Sequence, residues 1–153
     1  MPETVCGASV DGDVLLPLLP GGSEFFEEER TTAMGDRYEV CGVGVDDRLV
    51  LGFDLFPYSE GGDPVETVQA HARDVVETID IAGNSAAIWS DGVMTFIRCR
   101  AEETQEGGPY ISLEISAHRN VVVIEDDAER QRALEAFAES YVAGVEEARG
   151  CDV

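Results

Sequence analysis

The chain has 153 residues, 44% of them hydrophobic and 27% charged, which argues for one folded domain over 1–153 with a core of its own rather than a disordered segment. Its 32 acidic residues stand against 10 basic ones, all arginine, and the net charge of −22 repels phosphate backbones and anionic lipid surfaces, so nucleic-acid binding and adsorption to a membrane surface are disfavoured. No apolar run, VVVI at 121–124 included, approaches the ~20 residues that a membrane-crossing helix needs.

The first third predicts short elements. DGDVLLPLLP, 11–20, reads as one short helix broken by Pro17 or as a turn with apolar anchors. EFFEEER, 24–30, reads as an edge strand with charge on its solvent side. In YEVCGVGVDDRLVLGFDLF, 38–56, Cys41, Val43 and Val45 alternate on one face, as do Leu49, Leu51 and Phe53. A three-residue loop at Asp46, Asp47 and Arg48 would set both rows on the core side of a hairpin.

A helix start follows in SEGGDPVETVQAHARDVVETID. Asp63 is the N-cap, Pro64 the first helical residue and Glu66 the capping-box partner. Val65, Val68, Ala72, Val75, Val76 and Ile79 continue as one apolar stripe, which predicts a helix through Ile79. SAAIWSDGVMTFIRCRAE forms a second hairpin about SDG, and EETQEGGP loops out. YISLEISA is an alternating strand with Ile111, Leu113, Ile115 and Ala117 inward, and AHRN, 117–120, is a polar turn between strands. The last helix is capped by Asp126 or Asp127, carries the stripe Leu134, Phe137, Ala138, Tyr141, Val142 and Val145, and stops at Gly150. The sum is an α+β fold: an antiparallel sheet of about five to seven strands with two amphipathic helices packed on one face.

Cys6, Cys41, Cys99 and Cys151 lie tens of residues apart with no closely spaced pair, which argues against structural zinc. Four buried thiols or two disulfides remain. Of the three connectivities, only Cys6–Cys41 with Cys99–Cys151 avoids interleaved or nested loops, and it would anchor the N-terminus and the end of the last helix to the sheet. Two disulfides place the chain outside the cytoplasm. The opening MPETVCGAS lacks a basic, apolar, small-residue leader and reads as a trimmed start; taken as complete, it would indicate the cytoplasm.

VCGASVD near the start, CGVGVDDRLVLGF, the strand cysteine of FIRCRAE and the acidic, alanine-rich terminus EEARGCDV together resemble secreted or membrane-anchored, lipoprotein-type domains of actinobacteria. The resemblance implies an extracytoplasmic domain of unknown function, held to the membrane only through an anchor outside this chain. The lysine-free composition also suits a cytoplasmic protein of a halophile.

No nucleophile elbow, phosphate-binding loop, zinc-protease helix or calcium loop is present, so no catalytic residue, metal ligand or cofactor is assigned. The cluster EDDAE, 125–129, is explained by helix capping. His71 reads as a boundary residue of the middle helix, His118 as part of the AHRN turn, and Trp89 as hairpin or core packing. The expectation is a non-enzymatic, disulfide-stabilised binding or accessory module whose partner is a protein or small ligand; the alternative is an enzyme with an unrecognised site. An apolar groove between sheet and helices would favour the module, and a histidine meeting carboxylates in one pocket would favour the enzyme.

Overall fold

Turns with left-handed backbone lay out much of this protein. In the computed structural model, which describes residues 2–31, 39–58, 61–71, 74–99, 109–118, 121 and 123–151, the dipeptides Cys6–Gly7, Asp46–Asp47 and Ala82–Gly83 all have positive φ. Two such residues in succession match the right-handed twist of the strands they join. They close the hairpins β1 (Thr4–Val5) with β2 (Ala8–Ser9), β4 (Glu39–Val45) with β5 (Arg48–Tyr58), and β6 (Val75–Ile81) with β7 (Asn84–Trp89). With β3 (Phe25–Thr31), β8 (Gly92–Arg98) and β9 (Tyr110–Ala117), strands β3 to β9 form one antiparallel sheet in the order β3-β4-β5-β9-β8-β7-β6. Two three-stranded meanders thus flank a central β9.

Among the described residues, three helices complete the fold. The first, α1 (Gly12–Leu15), is capped by Asp11, whose carboxylate accepts the Asp13 N–H, and runs into a 3-10 turn, Leu16–Leu18, where Pro17 falls at a position with no need of an N–H. The second, α2 (Pro64–Ala70), begins as the sequence predicts: Asp63 accepts from the Val65 N–H. It ends at His71, and β6 follows within four residues. The stripe read as helical through Ile79 is therefore split, because Val75, Val76, Thr78, Ile79 and Ile81 form a β-branched run that favours a strand. The third, α3 (Asp127–Arg149), is the long helix expected, with Asp126 accepting from Glu129 N–H and Gly150 at φ 68 as its left-handed stop.

The helices do not share a face. On one side of the sheet, Val43, Leu51, Phe53, Leu55, Val93, Ile97, Ile111, Leu113 and Ile115 meet Leu134, Phe137, Tyr141 and Val142 of α3 in the main core. On the other side, Ala87, Trp89, Met94 and Phe96 pack under Val68 of α2. Strands β7 and β8 bury residues on both faces, so AAIW is a continuous apolar run and VMTFI one broken only by buried Thr95, and neither carries a face preference from which the helix sides could be read. Trp89 lies in this second cluster, with a Cβ at Gly92 falling only 2.2 Å from its ring.

The β4–β5 hairpin also departs from its simple pattern. Its loop has two residues, Asp46 and Asp47, and the register slips at Val43/Gly44, so Val50 is an inserted bulge residue. Val50 then joins the main core, while Leu49 faces the opposite side, over Gly42. Asp46 braces the preceding loop: its carboxylate accepts from Glu24 N–H at 2.8 Å and from Ser23 N–H at 3.2 Å, bonds that hold its carboxyl below the usual range, Glu24 first. β3 is an edge strand with Glu27, Glu28 and Glu29 exposed.

Candidate functional site

Cys6 near the start and Cys151 after the last helix are each tied to a cysteine of the sheet region. Cys6 and Cys41 are bonded, as are Cys99 and Cys151, and none of the four is a free thiol. The N-terminal hairpin is no loose tail. Val5 and Ala8 are buried, a Cβ at Gly144 of α3 would fall 2.1 Å from the Ser9 carbonyl, and Asp11 N–H donates to Ser140 Oγ at 2.8 Å. This close seating brings the 3-10 turn and its buried Leu18 onto the main core near α3.

Leu18 is one wall of a pocket of about 210 Å³ at one end of the sheet. Val50 and Leu51 of β5 and Ala117 at the end of β9 supply another, and Val121, Val123 and Ile124 enclose the side toward α3. Val50 reaches it because of the bulge. The neck is fixed by main-chain bonds: Ala117 N–H donates to Asp91 O at 2.7 Å and His118 N–H to Val50 O at 2.9 Å. The segment 121, 123–124 is not a strand, so His118 stands between β9 and the approach to α3 rather than between two strands.

The polar residues of the pocket are Ser90, Asp91, His118 and Arg130. Arg130 is the organising one. Its Nε donates to Ser90 O at 2.8 Å, one terminal nitrogen donates to Ile124 O at 2.7 Å, and the other pairs with the Asp127 carboxylate. A single guanidinium thus ties the β7–β8 turn, the 121–124 segment and the first turn of α3 together. Each of its three nitrogens donates to a protein oxygen, one of them the Asp127 carboxylate, so it acts as a strut of the pocket wall. Asp126 is engaged as the helix cap.

Of the residues singled out in the sequence, His118 lies on the pocket and His71 does not. His71 is exposed at the end of α2, where its Nδ1–H donates to Thr67 O at 2.8 Å. His118 and Asp91 line one space, the arrangement that would favour catalysis, together with apolar walls, the arrangement that would favour binding. Among the described residues, no group of three His, Cys, Asp or Glu side chains could hold a metal ion, and no helix is long and apolar enough to cross a membrane. Sequence reasoning missed Arg130, Asp91 and the apolar wall altogether; the one signal available was an arginine three positions after Asp127 in the first turn of a helix, an ordinary surface pattern.

No protein-family model, curated protein or solved structure matches this chain.

Proposed function

We propose that this protein is an extracytoplasmic, disulfide-stabilised binding or accessory module that acts without catalysis, and that its binding site is the pocket between Leu18, Val50, Ala117 and Ile124. The observation that carries this reading is the state of Arg130. Among the described residues one guanidinium lies on the pocket, and each of its three nitrogens already donates to a protein oxygen, which leaves apolar walls as the main surface offered to a ligand. Apolar walls with a few polar groups are the common composition of binding sites. The two disulfides support an oxidising compartment. An extracytoplasmic place accords with the secreted or membrane-anchored actinobacterial domains that the sequence resembles, and any attachment to the membrane would come from an anchor beyond these residues.

Two measurements test this. Titration with benzyl alcohol, a neutral single-ring probe, followed by amide chemical shifts should perturb Val50, Ala117 and Val123 together, and Ala117→Phe should remove the effect by filling the space. An unperturbed pocket at millimolar probe would sink the site. Alkylation of thiols in native cells before lysis should label no cysteine; four labelled thiols would return the protein to the cytoplasm. The second reading, an enzyme, is favoured by Ser90, Asp91 and His118 lining one pocket, and His118→Ala decides it. Binding should persist within a few-fold, whereas loss of a turnover found by substrate screening would make the protein an enzyme.

A further inference from the structure

We infer that the occupant of this pocket is a single large apolar side chain carried on a basic segment of a partner protein. The inference rests on the pocket being the binding site, and it draws on three further observations.

The first is size. A cavity of about 150 Å³ lined by aliphatic side chains accommodates one benzene ring, whereas sites for drug-sized molecules run to about 300–1,000 Å³. At about 210 Å³ this pocket suits one ring or one branched side chain and no more. An isolated small molecule of that size gains little affinity, while a side chain set in a larger interface gains from everything around it.

The second is the apolar shoulder. Leu16, in the same 3-10 turn as the pocket residue Leu18, is 56% exposed, and Pro17 between them is exposed as well. Among the described residues only Leu16 and Tyr58 are large apolar side chains so exposed. A partner seated in the pocket has apolar surface to continue onto.

The third is charge. The net charge of −22 favours approach by a cationic chain and opposes an anionic one. Near the pocket, Asp91 lies in its lining, exposed Glu125 follows the lining residue Ile124, and exposed Asp126 caps α3. On the cationic side, among the described residues, Arg130 is paired with Asp127 and His118 lies on the rim. Rim charges of this kind set the on-rate and the choice of partner, while the buried anchor sets the dissociation rate.

Short peptides decide the matter. An arginine-flanked phenylalanine peptide should bind, with chemical-shift changes at Val50, Ala117 and Val123. Replacing its phenylalanine by alanine, or introducing Ala117→Phe or Val121→Phe into the protein, should each weaken it by about tenfold or more. The two protein variants fill the space from different sides, so a folding failure of one leaves the other. Raising salt from about 0.05 to 0.5 M should weaken binding several-fold, because screening shortens the reach of the rim charges. Equal affinity of the alanine-centred peptide would show charge adsorption alone and overturn the anchor. Equal affinity of a glutamate-flanked phenylalanine peptide would overturn the basic partner while leaving the pocket as the site. Binding of benzyl alcohol in the pocket without binding of any peptide would likewise overturn the partner alone. Failure of both peptides and benzyl alcohol would remove the pocket and the partner together.

Discussion

The two disulfides perform the same covalent act at opposite ends of the chain, and the backbone around them differs. At the C-terminal end, Gly150 adopts the left-handed conformation that turns the chain out of α3, and the next residue, Cys151, bonds to Cys99, which is wholly buried. A glycine bears the unfavourable φ and the cysteine does not. At the N-terminal end the assignment is reversed. Cys6 itself sits at φ 49 in the hairpin tip, half-buried, and bonds to Cys41 on β4. The end that looks like a loose tail is also the one with more independent anchorage. Val5, Ala8, Val10, Leu15 and Leu18 bury themselves around the hairpin, whereas of the described residues after Val145 only Cys151 is buried. A cross-link matters most where other contacts are few, so the C-terminal bond should carry more of the stability although the two close loops of similar size.

That comparison is open to direct attack. The largest effect should come from Cys99→Ala with Cys151→Ala. Releasing a bond across a sequence separation of 52 corresponds to about 4 kcal/mol on chain-entropy grounds. At roughly 2–4 °C per kcal/mol for a chain of this size, Tm should fall by about 8–16 °C. The double variant Cys6→Ala with Cys41→Ala loses a bond across a separation of 35, an entropic term close to the first. It should nonetheless cost less, about 3 kcal/mol, because the buried hairpin still packs against α3. Substituting Gly rather than Ala at position 6 should recover about 1 kcal/mol by relieving the left-handed residue. Denaturant melts of the three proteins read all of this. A larger loss at the N-terminal bond than at the C-terminal one would reverse the comparison.

Much of this frame is legible in the residues, and the illegible parts have physical causes. The α3 stripe from Leu134 to Val145 keeps helical spacing over several turns between a clear cap and a clear stop, so it reads without ambiguity. The second helix misleads because Val68, Ala72, Val75, Val76 and Ile79 keep the same spacing, although a β-branched strand begins among them. Periodicity alone does not separate the two when a short helix abuts a strand. The bulge at Val50 leaves no mark in composition, yet it sends Leu49 to one face and brings Val50 to the pocket. The pocket itself draws on positions 18, 50, 91, 117, 124 and 130, distant stretches that meet only once the β3–β5 and β6–β8 meanders close around β9. Nothing local in any one of them announces a site.

A smaller effect isolates the hairpin seat from its disulfide. Gly144→Ala adds a Cβ that falls 2.1 Å from the Ser9 carbonyl, a backbone atom that cannot rotate away. Against about 1 kcal/mol of gained helix propensity stands an overpacking penalty of typically 1–3 kcal/mol, occasionally more. With so close an approach to backbone the upper part of that range, about 2–3 kcal/mol, applies, and a net loss of about 1–2 kcal/mol is expected, with both disulfides intact by non-reducing mass spectrometry. The same substitution made in the Cys6→Ala, Cys41→Ala background should cost less, since the freed hairpin can shift away from α3. Equal costs in the two backgrounds would mean that the hairpin is held by packing alone, and the disulfide would be redundant there.

The smallest effect lies where the two ends approach each other, and it carries the opposite sign. Tyr141 on α3 is fully buried against Phe53 and Phe137, with ring centroids at 4.8 and 5.8 Å, and its hydroxyl has no hydrogen-bond partner among the described residues. Nearby, Arg149 of the last turn of α3 pairs with Glu39 of β4 at 3.0 Å. A buried hydroxyl left unpaired costs about 1–3 kcal/mol relative to a paired one, so Tyr141→Phe removes a penalty and leaves the ring packing in place. The variant should match or exceed the parent by about 1 kcal/mol at neutral pH. Burial first, and the negative charge of Glu39 second, push the phenol pKa well above its ordinary value. The unfolded phenol, with a pKa near 10, then loses its proton before the folded one. The stability tied to the neutral phenol is complete below about pH 10 and declines as pH rises beyond it. Tyr141→Phe should abolish that alkaline decline while leaving the acid limb unchanged, which melts at pH 7 and pH 11 would show. A variant less stable than the parent at pH 7 would mean that the hydroxyl is bonded after all, and the seam between α3 and β4 would then be held by a polar contact rather than by aromatic packing and the Arg149–Glu39 pair.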